Sequence, residues 1–210
     1  MNQVIAQIGW LLVAYLLGSI PFGLVIAKIS KGVDPRLWGS RNTGATNVAR
    51  TCGAGYGLLT FVLDMAKGFV PMLIAAAISP SAVFLTATGL AALLGHMYSI
   101  FLKRKGGKGV ATSIGVFAAV TPGPLVWSVI ICLLLIWFTG FVSLGSLGLV
   151  ATLPLFILLA GDFSFILLGL LVLCLVFYRH RDNILRLARG EEHPWRKDAF
   201  SKEAQTGGQT

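Results

Sequence analysis

The residues best equipped for chemistry lie between Gly95 and Thr112, in the stretch GHMYSIFLKRKGGKGVAT. An apolar run passes His96 and Phe101, meets Lys103, Arg104 and Lys105, and breaks at Gly106-Gly107-Lys108-Gly109 before Val110-Ala111-Thr112 opens a new apolar stretch. Closely spaced glycines reach backbone angles that other residues avoid, so their N–H groups can converge on one point. A helix starting just beyond them adds unpaired N–H groups and a positive dipole end. With four cationic side chains within six residues, the pattern suits an anion cradle, best matched to phosphate, at the mouth of a membrane helix. Two plainer readings compete with it: basic residues beside a span also fix topology, and a Gly pair also marks a tight turn. A Walker A loop needs Ser or Thr after its Lys. Here Gly109 follows Lys108, so nucleotide hydrolysis is not indicated.

Two further polar stretches carry candidate groups. In Lys31–Arg50, the segment Gly39-Ser40-Arg41-Asn42-Thr43-Gly44-Ala45-Thr46-Asn47 packs hydroxyls, amides and glycines together and is closed by Arg50. It reads either as a binding loop or as a solvated turn held by local Asn and Thr bonds. Arg179-His180-Arg181-Asp182-Asn183 follows the last apolar run and leads to Glu192, with Ile184, Leu185 and Leu187 interleaved among arginines as in a short interfacial helix. Asp64 and Lys67, three apart inside an apolar run, share a helix face and can pair. Charge at membrane depth defaults to a functional hypothesis, with a structural ion pair the equal alternative.

The elements that must position these groups are membrane helices. Of 210 residues, 56% are hydrophobic and 12% charged, with a mean hydropathy of +0.82; soluble domains carry about a quarter charged residues. Long uncharged runs such as Pro124–Phe138 and Phe163–Phe177 predict an all-α polytopic integral membrane protein, a single transmembrane domain over residues 1–198 with a polar, disordered tail at 199–210. The net charge of +9 is concentrated in short loops beside apolar runs, so orientation in the membrane explains it better than nucleic acid. If the three basic clusters face one side, each pair is joined by an even number of crossings. That predicts seven spans, with the N-terminus outside and the C-terminus cytoplasmic. Val110–Val120 is shorter than the ~20 residues that cross a bilayer, which leaves a five-span arrangement with a re-entrant piece open. Gly18 to Gly23, with Pro21, predicts a kink in the first span. That span lacks a basic leader and a small-residue cleavage site and is expected to be retained. Cys52, Cys132 and Cys174 are far apart and read as small hydrophobes. Three histidines and eight acidic residues show no ligand spacing, so neither metal nor cofactor is expected.

Brought to one membrane surface, Ser40, Arg50, Lys108, the glycine turns, His180 and Asn183 suit a small, doubly charged, hydroxylated anion, with room among the spans for an acyl chain. The three stretches resemble the motifs of the bacterial acyl-phosphate:glycerol-3-phosphate acyltransferases, the PlsY family: Gly39-Ser40 through Asn47 to Arg50, Gly95-His96 through Gly106-Gly107-Lys108-Gly109 to Thr112, and Arg179-His180-Arg181 with Asn183, Gly190 and Glu192. Leu63-Asp64, Lys67-Gly68 and Val142-Ser143-Leu144 also fit, so the similarity spans most of the chain. The resemblance implies transfer of a fatty acyl group from acyl phosphate to the first hydroxyl of glycerol 3-phosphate, yielding lysophosphatidic acid and phosphate in the opening step of phospholipid synthesis. It implies no acyl-CoA or carrier-protein donor, a bacterial cytoplasmic membrane location with the site on the cytoplasmic side, and lipid but no obligate protein partner. Carried over by position, Ser40, Arg50 and Lys108 with Gly106, Gly107 and Gly109 would hold phosphate. His180 and Asn183 would position the acceptor, with Thr46, Asn47 and Ser143 as further substrate contacts and Glu192 structural.

His193-Pro-Trp-Arg-Lys-Asp198 matches the H-x-x-x-x-D pattern of a different acyltransferase family. It begins a polar tail and is taken as chance. A small phosphate carrier would also use broken spans and a phosphate loop, but no repeat relates the two halves, and the polar motifs gather at one surface. A structural subunit would leave those loops unexplained.

Overall fold

A computed structural model describes residues 2–195. The expected tail and Asp198 of the H-x-x-x-x-D pattern lie outside the described residues. These residues form ten α-helices and, among the described residues, no strand: α1 Asn2–Ser19, α2 Phe22–Lys31, α3 Ala45–Cys52, α4 Ala54–Ile78, α5 Ala82–Met97, α6 Val110–Val120, α7 Pro122–Thr139, α8 Val142–Leu159, α9 Ile166–Arg179 and α10 Arg181–Arg189.

The breaks follow from local chemistry. Proline has no N–H and cannot continue a helical ladder, and α1 gives way to α2 at Ile20-Pro21, where the kink is expected. The freed Ile20 carbonyl accepts a bond of 2.8 Å from Lys67 Nζ of α4. Pro122 opens α7, where its missing N–H costs nothing. Gly109, at φ +90°, turns the chain into α6, and Gly190, at φ +71°, ends α10.

Five helical stretches are long and apolar enough to cross a membrane: Gln3–Lys31, Ala54–Ile78, Ala82–Leu102, Pro122–Thr139 and Val142–Leu159. A sixth is reached if Phe163–Arg179 and the helix bent from it by 61° count as one span. Val110–Val120, also expected to span, is a helix of 11 residues, shorter than the ~20 that cross a bilayer. The chain is an integral membrane protein of all-α class.

Apolar helices in lipid gain little from burying hydrophobic surface, so they associate through close packing at small residues. The three main pairs do so. A Cβ on Gly18 of α1 would lie 2.1 Å from Ala92 O of α5, one on Gly115 of α6 would lie 2.0 Å from Met65 O of α4, and one on Gly145 of α8 would lie 2.7 Å from Cys132 O of α7. Met72, Leu93, Phe117, Leu153 and Leu168 form the centre of the core. The α7–α8 hairpin joins that core through α8, while α7 buries only Leu125 and Ser128. A groove remains between α4 and α6 on one side and this hairpin on the other.

Candidate active site

The glycine turn is held against the end of α5. Gly106 N donates to Met97 O and Gly107 N to His96 O, both at 3.1 Å, so the chain from Tyr98 onward folds back on itself. Lys103, Arg104 and Lys105 are carried to the exposed tip of this excursion. Of the four clustered cations only Lys108 lines the groove, which corrects the picture of a fourfold cationic cradle. Gly106 and Gly107 are buried behind it and do not line the cavity, whereas Gly109 does. Their part is to shape the turn.

The loop before α3 is organised by Asn47. Its Nδ2 lies 2.7–3.0 Å from the carbonyls of Pro35, Asn42 and Trp38, and its Oδ1 accepts from Ser40 N at 2.9 Å. This side chain, expected to touch substrate, folds its own loop, and the residue also lines the groove. That hub requires Gly39, at φ +58°, because a Cβ there would lie 2.4 Å from Asn47 Oδ1. Asn42 Oδ1 accepts from Gly44 N at 2.8 Å, and α3 then begins with Ala45 and Thr46 facing the groove. Arg50, one turn on, donates through Nη2 to His193 O at 2.9 Å. The rest of its guanidinium fork is left for other partners.

The third stretch sits at the bend between α9 and α10. His180 is 2% exposed, and its Nδ1 lies 2.8 Å from Val176 O. A carbonyl only accepts, so in the neutral ring Nδ1 carries the hydrogen and Nε2 keeps a lone pair. Lys108 Nζ donates to Asn183 Oδ1 at 2.5 Å, and Asn183 Nδ2 donates to Glu192 Oε1 at 2.9 Å. Glu192 Oε2 takes Arg186 Nε at 2.9 Å. Glu192 therefore belongs to a chain of bonds that fixes Asn183 and through it Lys108, and it also borders the cavity.

These elements enclose a cavity of about 290 Å³. Its polar end is lined by Ser40, Thr46, Arg50, Lys108, His180 and Asn183 and by the first turns of α3 and α6. Ser143 Oγ is buried there without a hydrogen-bond partner among the described residues. Buried hydroxyls are nearly always bonded, so this one is suited to take a ligand atom as its partner. Burial pushes the Lys108 ammonium down to about 8, with the Arg186 and Arg50 charges adding to the effect against Glu192. Beyond this end the lining is apolar, with Phe61, Ile114, Val129, Leu133, Ile136 and Leu149 contributed by α4, α6, α7 and α8.

Sequence reading expects room among the spans for an acyl chain but does not name the residues of the apolar wall, since uniformly hydrophobic spans carry no phase to show which side faces a cavity. It also gave Arg179 no role, although its guanidinium reaches Gly106 O at 2.8 Å and Gly107 O at 3.2 Å; a cation immediately before His180 at the end of a span was the available signal. The Asp64–Lys67 pair, open to two roles by sequence, is an ion pair of 2.8 Å with both side chains 4% exposed, and Asp64 borders the cavity. His193 is exposed and contributes a backbone carbonyl to Arg50.

Fold and site define an integral membrane protein whose spanning helices enclose a pocket that is cationic at one end and apolar at the other. The chain belongs to the glycerol-3-phosphate acyltransferase family, whose model matches residues 8–190. It is 57% identical over 188 residues to a glycerol-3-phosphate acyltransferase of Nitratidesulfovibrio vulgaris, covering 90% of this chain and 58% of that protein. It is 52% identical to one of Solidesulfovibrio magneticus, covering 92% and 97%. Among solved structures it resembles PlsY (YgiH), described as an integral membrane glycerol 3-phosphate acyltransferase. Its glycerol 3-phosphate form matches with a TM-score of 0.87 at 46% identity, covering 90% of this chain and 95% of that one, and its lysophosphatidic acid form matches with a TM-score of 0.85.

Proposed function

We propose that this protein transfers a fatty acyl group from acyl phosphate to the sn-1 hydroxyl of glycerol 3-phosphate, giving lysophosphatidic acid and inorganic phosphate. The observation that carries the reading is the two-ended cavity. Two cations and two helix N-termini suit phosphate-bearing substrates at one end, and the apolar groove suits an acyl chain at the other. The acceptor and the lipid product are the molecules for which the two PlsY forms are named. In this reading Ser40, Arg50, Lys108 and the turn that ends in Gly109 hold phosphate, His180 and Asn183 position the acceptor, and Thr46 and Ser143 add contacts. The site faces the cytoplasm of a bacterial inner membrane, the side on which the basic loops would be retained.

Acyl phosphate is already a mixed anhydride, so no enzyme nucleophile is required. The acceptor oxygen attacks the acyl carbon, the bond from that carbon to the phosphate oxygen breaks, and phosphate leaves. Holding the two substrates in line and neutralising the leaving charge supply the acceleration. The hydroxyl proton passes to a phosphate oxygen or to the free Nε2 of His180. A His180→Ala enzyme with near-normal kcat and raised KM for glycerol 3-phosphate assigns it to phosphate, and a collapsed kcat assigns it to His180. The overall reading is tested by following phosphate release from palmitoyl phosphate in detergent. Release that depends on glycerol 3-phosphate supports transfer, whereas release without it contradicts the reading.

A further inference from the structure

We propose that Arg179 and His96 are positioning residues that grip the Gly106–Gly107 turn and thereby aim the Lys108 N–H, next to the Lys108 ammonium, at the phosphate-binding end of the groove. The inference rests on the phosphate reading above and adds two residues that act through the turn.

The argument starts from peptide geometry. The C=O and N–H of one trans peptide point in opposite directions. In the peptide joining Gly106 to Gly107, the carbonyl accepts from Arg179 Nη2 at 2.8 Å, while the N–H donates to His96 O at 3.1 Å. It is thus held from both ends. In the next peptide Gly107 O accepts from Arg179 Nε at 3.2 Å, which turns the Lys108 N–H the other way. No acceptor for the N–H of Lys108 or Gly109 is found among the described residues, and both residues line the groove. A cation on the carbonyl side also polarises the peptide and strengthens its N–H as a donor. Arg179 is itself steadied by the Tyr98 ring, 5.6 Å from its guanidinium carbon.

His96 supplies the opposing surface. It is 7% exposed, and a Cβ added to Gly107 would lie 2.1 Å from its Nε2. The imidazole is therefore packed directly against the turn and excludes any side chain at position 107. Its Nδ1 faces Asp64 Oδ1 at 3.7 Å, so the ring is backed by the Asp64–Lys67 pair of α4. Two helices, α5 and α9, meet at one turn, and their side chains set its conformation, His96 from the edge of the cavity and Arg179 from outside its lining.

The test uses the full chain purified in detergent, with palmitoyl phosphate and glycerol 3-phosphate. Arg179→Ala is expected to lose roughly 10- to 100-fold in kcat/KM, the range for hydrogen bonds to a charged group, and guanidinium ion in the buffer is expected to restore several-fold. Arg179→Lys, which keeps the charge but loses the fork, falls between the two. Gly107→Ala is expected to lose at least as much as Arg179→Ala, and adding His96→Ala should bring it back to the level of His96→Ala alone. Arg179→Ala with wild-type kcat/KM overturns the proposal. So does loss without guanidinium rescue in a variant that melts like the wild type, or strictly additive losses at positions 96 and 107. If the wild type ignores palmitoyl phosphate, the acyl-phosphate reading fails instead, and the same variants are compared with the donor it does use.

Discussion

Two groups of charged residues lie close together in this protein, and they do opposite things. Asp64, Lys67 and His96 are buried where the helices meet, Asp64 and His96 at the edge of the cavity, and Lys67 satisfies both Asp64 and the Ile20 carbonyl at the α1–α2 break. Arg50, Lys108, His180 and Asn183 stand around a cavity, each with at least one donor or acceptor free for a guest. Composition does not separate them, since both mix cations, a carboxylate or amide and a histidine. What separates them is pairing: Asp64 and Lys67 bond each other, whereas the second group keeps donors and acceptors unused beside the cavity. Charge with its partners inside the bundle holds helices together, and charge with partners on one side only awaits a ligand.

The comparison is broken most severely by removing one half of the inner group. Lys67→Ala leaves Asp64 as an uncompensated buried charge, and the expected cost is about 3–5 kcal/mol of stability, read as a fall in the thermal midpoint in detergent. Replacing Asp64 and Lys67 together by apolar residues of similar volume should recover most of that loss. If the single variant melts like the wild type, the inner group is not a structural pair.

A sharper separation comes from pH. Burial holds Lys108 at about 8 in the folded protein, so its cationic form is complete below that pH and is lost as pH rises through it. A step that needs the ammonium is expected to give kcat/KM level on the acid side and falling about tenfold per pH unit above 8. Lys108→Arg, which stays charged, should move that fall upward. An unchanged alkaline limb in Lys108→Arg would take Lys108 out of the phosphate site. The smallest effect is expected at Ser143, whose unpartnered Oγ offers a single neutral hydrogen bond. Ser143→Ala should cost about 1 kcal/mol, or roughly fivefold in KM, with the melting temperature unchanged.

Much of this fold and site is legible in the amino-acid sequence. Pro and Gly at Ile20-Pro21, Thr121-Pro122 and Gly190 mark the helix ends because those residues act on the backbone locally. The three polar stretches stand out because an apolar chain has no other reason to gather Ser40, Arg50, Lys108, His180 and Asn183. What stays hidden depends on direction. Lys103, Arg104 and Lys105 share the composition of Lys108, but the fold-back on α5 turns them to the exposed tip. That Asn47 also holds its own loop, through bonds to Pro35, Trp38 and Asn42, shows only in the folded chain. Which residues of α7 and α8 form the apolar wall is not legible in sequence because every face of those helices is hydrophobic.

The central claim is that acyl phosphate and glycerol 3-phosphate meet in this groove. The most direct measurement is formation of lysophosphatidic acid by the detergent-purified protein, supplied with glycerol 3-phosphate and either palmitoyl phosphate or palmitoyl-CoA. Product from palmitoyl phosphate alone, lost by about two to three orders of magnitude in Lys108→Ala, is the predicted result. Product from palmitoyl-CoA but not from palmitoyl phosphate would contradict the account and turn attention to His193.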